Sequence, residues 1–238
     1  MKNTTTICLY LVFSVIAVVL ILLLVGTTPS QSLSLPLYEK AGAASVFILC
    51  CSIGISVTLR PNWIRRAIPG FQNKEKNTQH RGGERSFQGH HPECPSFKNH
   101  TIRWKEKTLC AGCLGLFIGL CVAILLMLLY IVTDIQLIKM MSYLLLLLGL
   151  FILAIVYVEI LHRSRHATVH VFINSMLPLS FFLITISVVA ITGKIIDGLF
   201  TILICFLWLD TRIQISKWQH SHLCTHCAES CKMFTGPA

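Results

Sequence analysis

Six long apolar runs leave this chain little choice of fold. They cover residues 6–25, 41–59, 114–132, 141–161, 171–191 and, shorter than the rest, 195–209. About 20 apolar residues in a helix cross the hydrocarbon core of a bilayer, where every backbone N–H and C=O must find its partner within the chain. The runs therefore predict an all-α, polytopic membrane helix bundle of about six spans. Composition agrees: 54% of the 238 residues are apolar and 13% are charged, whereas about 25% are charged in a soluble domain. A soluble fold is excluded, and no stretch is left for a large soluble catalytic domain.

The layout that follows is two transmembrane helices within 1–59, a basic loop over 60–113, four helices over 114–209 and a tail over 210–238. The first run is longer than the 7–15 residues of a signal-peptide core, and no small-x-small cleavage site follows Gly26, so it reads as a retained span. At fifteen residues the last run is short; it can tilt, extend to Ile215 or re-enter the same face.

Orientation follows from Lys and Arg, which cytoplasmic loops retain during insertion. With six spans, one face collects Lys2, the eleven basic residues of 60–108, Arg163, Arg165, Arg212, Lys217 and Lys232, seventeen in all, and the other has only Lys40, Lys139 and Lys194. Both termini are thus expected in the cytoplasm of a multi-pass cell-membrane protein. The net charge of +10 then points to anionic lipid headgroups and not to nucleic acid. All ten histidines fall on the same basic face, as do Cys94, Cys110, Cys113, Cys224, Cys227 and Cys231; Cys8, Cys50, Cys51, Cys121 and Cys205 lie inside apolar runs and read as packing.

Loop residues 60–108 have too few apolar side chains to offset their ordering entropy. The first half reads as a solvated linker. The segment 90–113 instead concentrates metal ligands: His91, Cys94, His100, Cys110 and Cys113. Cys110-x2-Cys113, with Gly112 before the second Cys, has the spacing of a zinc knuckle, and its place at the start of a helix favours thiolate. The tail repeats the pattern with His220, His222, Cys224, His226, Cys227 and Cys231, six donors in twelve residues. Mixed thiolate and imidazole ligands favour zinc; an iron–sulfur cluster on the tail would lack its usual fourth Cys. Loop and tail either hold one ion each or share a site. Disulfides are disfavoured on a reducing face, and redox-active dithiol chemistry is a further alternative.

A third cluster, Glu159 to His170, lies where the fourth span turns into the fifth. An ionisable Glu159 in an apolar run marks function or a paired partner. A helix puts Glu159, His162 and His166 on one face, and Glu-x-x-His is a ligand arrangement of carboxylate metal sites. The chain must reverse before His170, which removes His170 from that face. The simpler reading pairs Glu159 with Arg163. The sequons at Asn3 and Asn99 fall on the cytoplasmic side, and Gly115-x3-Gly119 fits close helix packing.

Ser96-Phe97 followed by Cys110-Ala111-Gly112-Cys113-Leu114-Gly115-x3-Gly119 resembles a family of small prokaryotic integral membrane proteins of unknown function, whose Cys-Ala-x-Cys-x-Gly-x3-Gly signature leads into a transmembrane helix. The chain has Gly112 and Leu114 where that family has Arg and Thr. The resemblance implies a membrane protein with a cysteine site and no particular substrate. The favoured expectation is a non-enzymatic structural or interaction subunit of a membrane complex, organised by zinc. The rivals are a metal-dependent membrane enzyme using Glu159 with His162 or His166, and metal or thiol-redox transport or sensing.

Overall fold

The computed structural model describes residues 2–28, 37–59, 87–88, 101–104, 107–133, 137–162 and 166–224. Six helices account for nearly all of them: α1 (Lys2–Thr27), α2 (Leu37–Leu59), α3 (Ala111–Val132), α4 (Lys139–His162), α5 (Ala167–Thr192) and α6 (Ile195–Cys224). The first five are long and apolar enough to cross a membrane, which makes this a multi-pass membrane protein. Their outward faces carry exposed Leu, Ile, Val and Phe, among them Leu125 at 65% and Phe151 at 63% exposure, as lipid-facing surfaces do.

The bundle is organised around α5. Residues are buried over 78% of its spanning window, against 22–28% for the other four spans. Small and hydroxylated residues interspersed among its aliphatic ones make this burial possible. Ser175, Ser180 and Ser187 donate to the Phe172, Leu177 and Leu183 carbonyls within the helix, so their hydroxyls need no partner from a neighbouring helix. Gly119 of α3 then lies directly on the Ser175 backbone, and Gly149 of α4 on Ser180 and Ile184. Where lipid is as apolar as Leu, such backbone approach and dispersion carry the association. Helix α5 ends at Gly193, whose φ of 67° is the left-handed cap that glycine adopts at little cost.

Helix α6 departs from expectation. It does not stop at Leu209 but continues to Cys224, 30 residues in all, so positions 210–224 are not a separate tail. At about 1.5 Å per residue it is roughly 45 Å long, more than a bilayer core requires. Its middle is anchored by a buried polar chain. Trp208, fully buried and stacked on Phe181 at 6.3 Å between centroids, donates from Nε1 to the Ser14 carbonyl of α1 at 3.3 Å. The Tyr157 hydroxyl of α4 donates to the Trp208 carbonyl at 2.8 Å. The Ser14 hydroxyl donates to Thr211 Oγ1 at 3.1 Å.

The loop also holds structure that the all-α reading did not foresee. A three-stranded sheet of order β1-β3-β2 is formed by β1 (Phe87–Gln88), β2 (Thr101–Trp104) and β3 (Lys107–Cys110). β2 and β3 are antiparallel, with Thr101 opposite Cys110 and Trp104 opposite Lys107, while β1 runs parallel to β3. The β-branched and aromatic residues Thr101, Ile102, Trp104 and Thr108 suit a pleated backbone.

Candidate functional site

The site is built at the end of the bundle where β3 enters the membrane helices. Cys110 is both the last residue of β3 and the N-cap of α3, with φ −71° and ψ 122°. Cys113 falls in the first helical turn. The turn between the thiols is therefore a strand-to-helix junction and not a free knuckle. Cys110 is buried and Cys113 partly exposed; among the described residues no two cysteines are joined in a disulfide.

Three helices converge on this junction. Gly112 lies against α6: a Cβ there would stand 3.2 Å from Arg212 Nη2 and 3.8 Å from Asn174 Nδ2. Asn174, buried on α5, accepts from Arg212 Nη2 through Oδ1 and donates from Nδ2 to the His170 carbonyl at 2.6 Å. The amide thus holds the guanidinium over the first turn of α3. Burial pulls the Arg212 guanidinium below its ordinary pKa, and the nearby Cys113, Cys110 and Glu159 oppose that pull. Two turns further along α6, Gln219 donates to the Ile160 carbonyl of α4.

Glu159 faces this cluster from α4. Its Oε1 lies 3.2 Å from His170 Nδ1, the two side chains being 11% and 13% exposed. The sequence argument that chain reversal removes His170 from the Glu159 face needs correction. Reversal between His162 and Ala167 does end α4, but it lays α5 antiparallel beside α4 and returns His170 to Glu159 from the facing helix. The expected Arg163 partner lies outside the described residues. His166, named with Glu159 from helical spacing, is instead the exposed N-cap of α5.

The other sequence-named ligands are placed as follows. His91, Cys94 and His100 precede the sheet, and His226, Cys227 and Cys231 follow α6; all six lie outside the described residues. The backbones at positions 162, 220, 222 and 224 are helical, while their side chains are not among those described. Among the described residues, no group of three His, Cys, Asp or Glu side chains is arranged to hold a metal ion. Sequence reasoning missed Arg212, Asn174 and His170 as parts of the site. Arg212 carried a signal, a lone guanidinium three residues beyond an apolar run, but the six-span reading used it only as a topological charge. No family model, no curated protein and no solved structure matches the chain.

Proposed function

We propose that this multi-pass membrane protein uses cytoplasmic Cys/His metal sites, with zinc as the ion, to fasten its loop and C-terminal segment to one end of the bundle, as a structural or interaction subunit of a membrane complex. In this reading α6 is the sixth crossing and both termini are cytoplasmic. The carrying observation is the packing of Gly112 against Arg212. One of the two residues between the loop thiols thus lies against the same helix that leads, twelve residues after Arg212, to Cys224.

The donors suit zinc. Cys110 and Cys113 are soft ligands held on a pre-formed junction, and a tetrahedral ion needs two more from His91, Cys94 or His100, or from the donors at 220–231. Arg212 would offset the negative charge that accumulates when several thiolates share one dication. Fixing loop to tail would create a defined surface on the most basic end of a small protein, which suits docking to acidic partners or anionic headgroups. The cysteine-containing signature is in keeping with the small prokaryotic membrane proteins the sequence resembles.

Metal analysis of the detergent-purified full-length chain tests this. Stoichiometric zinc is expected, lost in both Cys110→Ser and Cys227→Ser if loop and tail share or couple their sites. Full zinc retention in both variants, or no zinc in the wild type, would remove the reading. Bound iron with visible sulfur-to-iron absorption would replace zinc by a cluster.

A further inference from the structure

Three thiols that take no part in the loop and tail chemistry meet in the middle of the bundle. Helices α2 and α6 start side by side: Gly42 lies against Ile195, and a Cβ on Gly198 would stand 3.4 Å from that of Ala43. Both then run in the same direction, since α3 meets Arg212 of α6 at its start and Lys40 of α2 at its end. Seven residues make about two turns. The step from Ala43 to Cys50, matched by that from Gly198 to Cys205, therefore brings Cys50, Cys51 and Cys205 to one level. The Cys205 thiol accordingly interacts with Cys51 and Cys50, and with the Thr185 hydroxyl of α5. All three are free cysteines. Cys205 lies roughly 15 Å along α6 from Ile195, about half the thickness of a hydrocarbon core.

Thr185 points to an occupant. Its hydroxyl is sealed from solvent and finds no hydrogen-bond partner among the described residues, whereas Ser180 and Ser187 on the same helix each donate to a carbonyl within it. Cys51, Cys205 and Thr185 are only 5%, 6% and 1% exposed, so water does not serve them. A reduced thiol is a small hydrophobe and a weak acceptor; packing alone leaves the Thr185 hydroxyl unsatisfied. A thiolate beside it would accept its hydrogen bond. We propose that Cys51 and Cys205 bind one soft monovalent cation, Cu⁺, in the centre of the bundle, with Thr185 donating to the bound sulfur.

Ligand number and charge both select this ion. Among the described residues no group of three His, Cys, Asp or Glu is arranged around a metal, which denies zinc its four-ligand shell. Thiols favour Cu⁺, and two sulfurs are enough for it. When Cu⁺ binds, one of the two thiols gives its proton to water and the other keeps its own. Thiolate, cation and thiol are then neutral together, as hydrocarbon depth demands; a dication on the same pair would leave a net charge there. The ion ties α2 to α6 and sits near the midplane, where ion sites of transporters lie. The inference does not depend on zinc at the cytoplasmic cysteines.

The test is anaerobic Cu⁺ titration of the full-length protein in detergent, in the presence of zinc and against the chromogenic chelator bicinchoninate. Cys51→Ala and Cys205→Ala should each bind one equivalent less than the wild type, whereas Cys121→Ala, on α3, should bind as the wild type does. Wild-type stoichiometry in both core variants overturns the site and leaves these thiols as packing. Should Cys205→Ala fail to fold, thermal unfolding serves instead: Cu⁺ should raise the midpoint of the wild type by more than that of Cys51→Ala, and an equal rise also overturns the proposal. The difference of one equivalent should persist in a background carrying Cys110→Ser and Cys227→Ser. Its disappearance there would assign the copper to the cytoplasmic thiols and remove the site. Zinc lost from that background with the difference intact would separate the two readings, and either can fail alone.

Discussion

Replacing Gly119 by Ala tests whether backbone contact between α3 and α5 holds the bundle together. A Cβ on Gly119 would stand 2.8 Å from Ser175 Cα and 2.9 Å from its carbonyl carbon, with the carbonyl oxygen nearer still. Carbon atoms in contact sit about 3.5–4.0 Å apart. The helices must therefore separate by nearly 1 Å, since the opposing atoms are backbone and cannot rotate away. Overpacking of this kind costs about 1–3 kcal/mol, roughly a 5- to 150-fold fall in the folded-to-unfolded ratio. Gly42→Ala is the control. Its Cβ would meet only the Ile195 Cδ1 at 2.5 Å, the far end of a flexible side chain that can change rotamer, and a cost below about 1 kcal/mol is expected. The assay is reversible unfolding in mixed micelles, followed by far-ultraviolet circular dichroism and Trp fluorescence. Equal stability of Gly119→Ala and wild type, or a larger loss at Gly42, would refute the claim that the α3–α5 backbone approach carries the association.

Trp208→Ala should be among the most destabilising single changes, at about 3–5 kcal/mol, because it empties the centre of the bundle and orphans the Ser14 carbonyl; Trp208→Phe should cost clearly less by keeping the stack on Phe181. Asn174→Ala removes both the Arg212 acceptor and the bond to the His170 carbonyl, and a loss of about 1–3 kcal/mol is expected in the same unfolding assay, with Asn174→Asp substantially better tolerated beside the guanidinium. Tyr157→Phe should lose about 0.5–1.5 kcal/mol. Chelation is expected to lower the thermal midpoint of the wild type by more than that of Cys110→Ser, since the variant has already lost the zinc its thiol would hold.

The sequence by itself determined the helices, because bilayer thickness sets a length and backbone desolvation demands a helix: five apolar runs reappear as spans within a few residues of where hydrophobicity placed them. The CxxC at the entrance to α3 was equally legible, since Cys spacing and a following apolar run are both local features. Tertiary structure decided what local features cannot carry. Helical spacing could judge Glu159 only against residues of its own helix, so it paired Glu159 with Arg163 or His166, while His170 reached it from the next helix after reversal. Arg212 looked like a charge marking a membrane face until α6 continued past Leu209 and carried it over the thiols. The loop sheet was missed because its pairing joins β1 to β3 across some twenty residues, where hydrophobic alternation is too short to register. Which polar side chains share a space depends on how helices cross, and crossing is set by where small residues such as Gly115 and Gly119 permit backbones to touch; that is a property of pairs of helices, which no single run of residues contains.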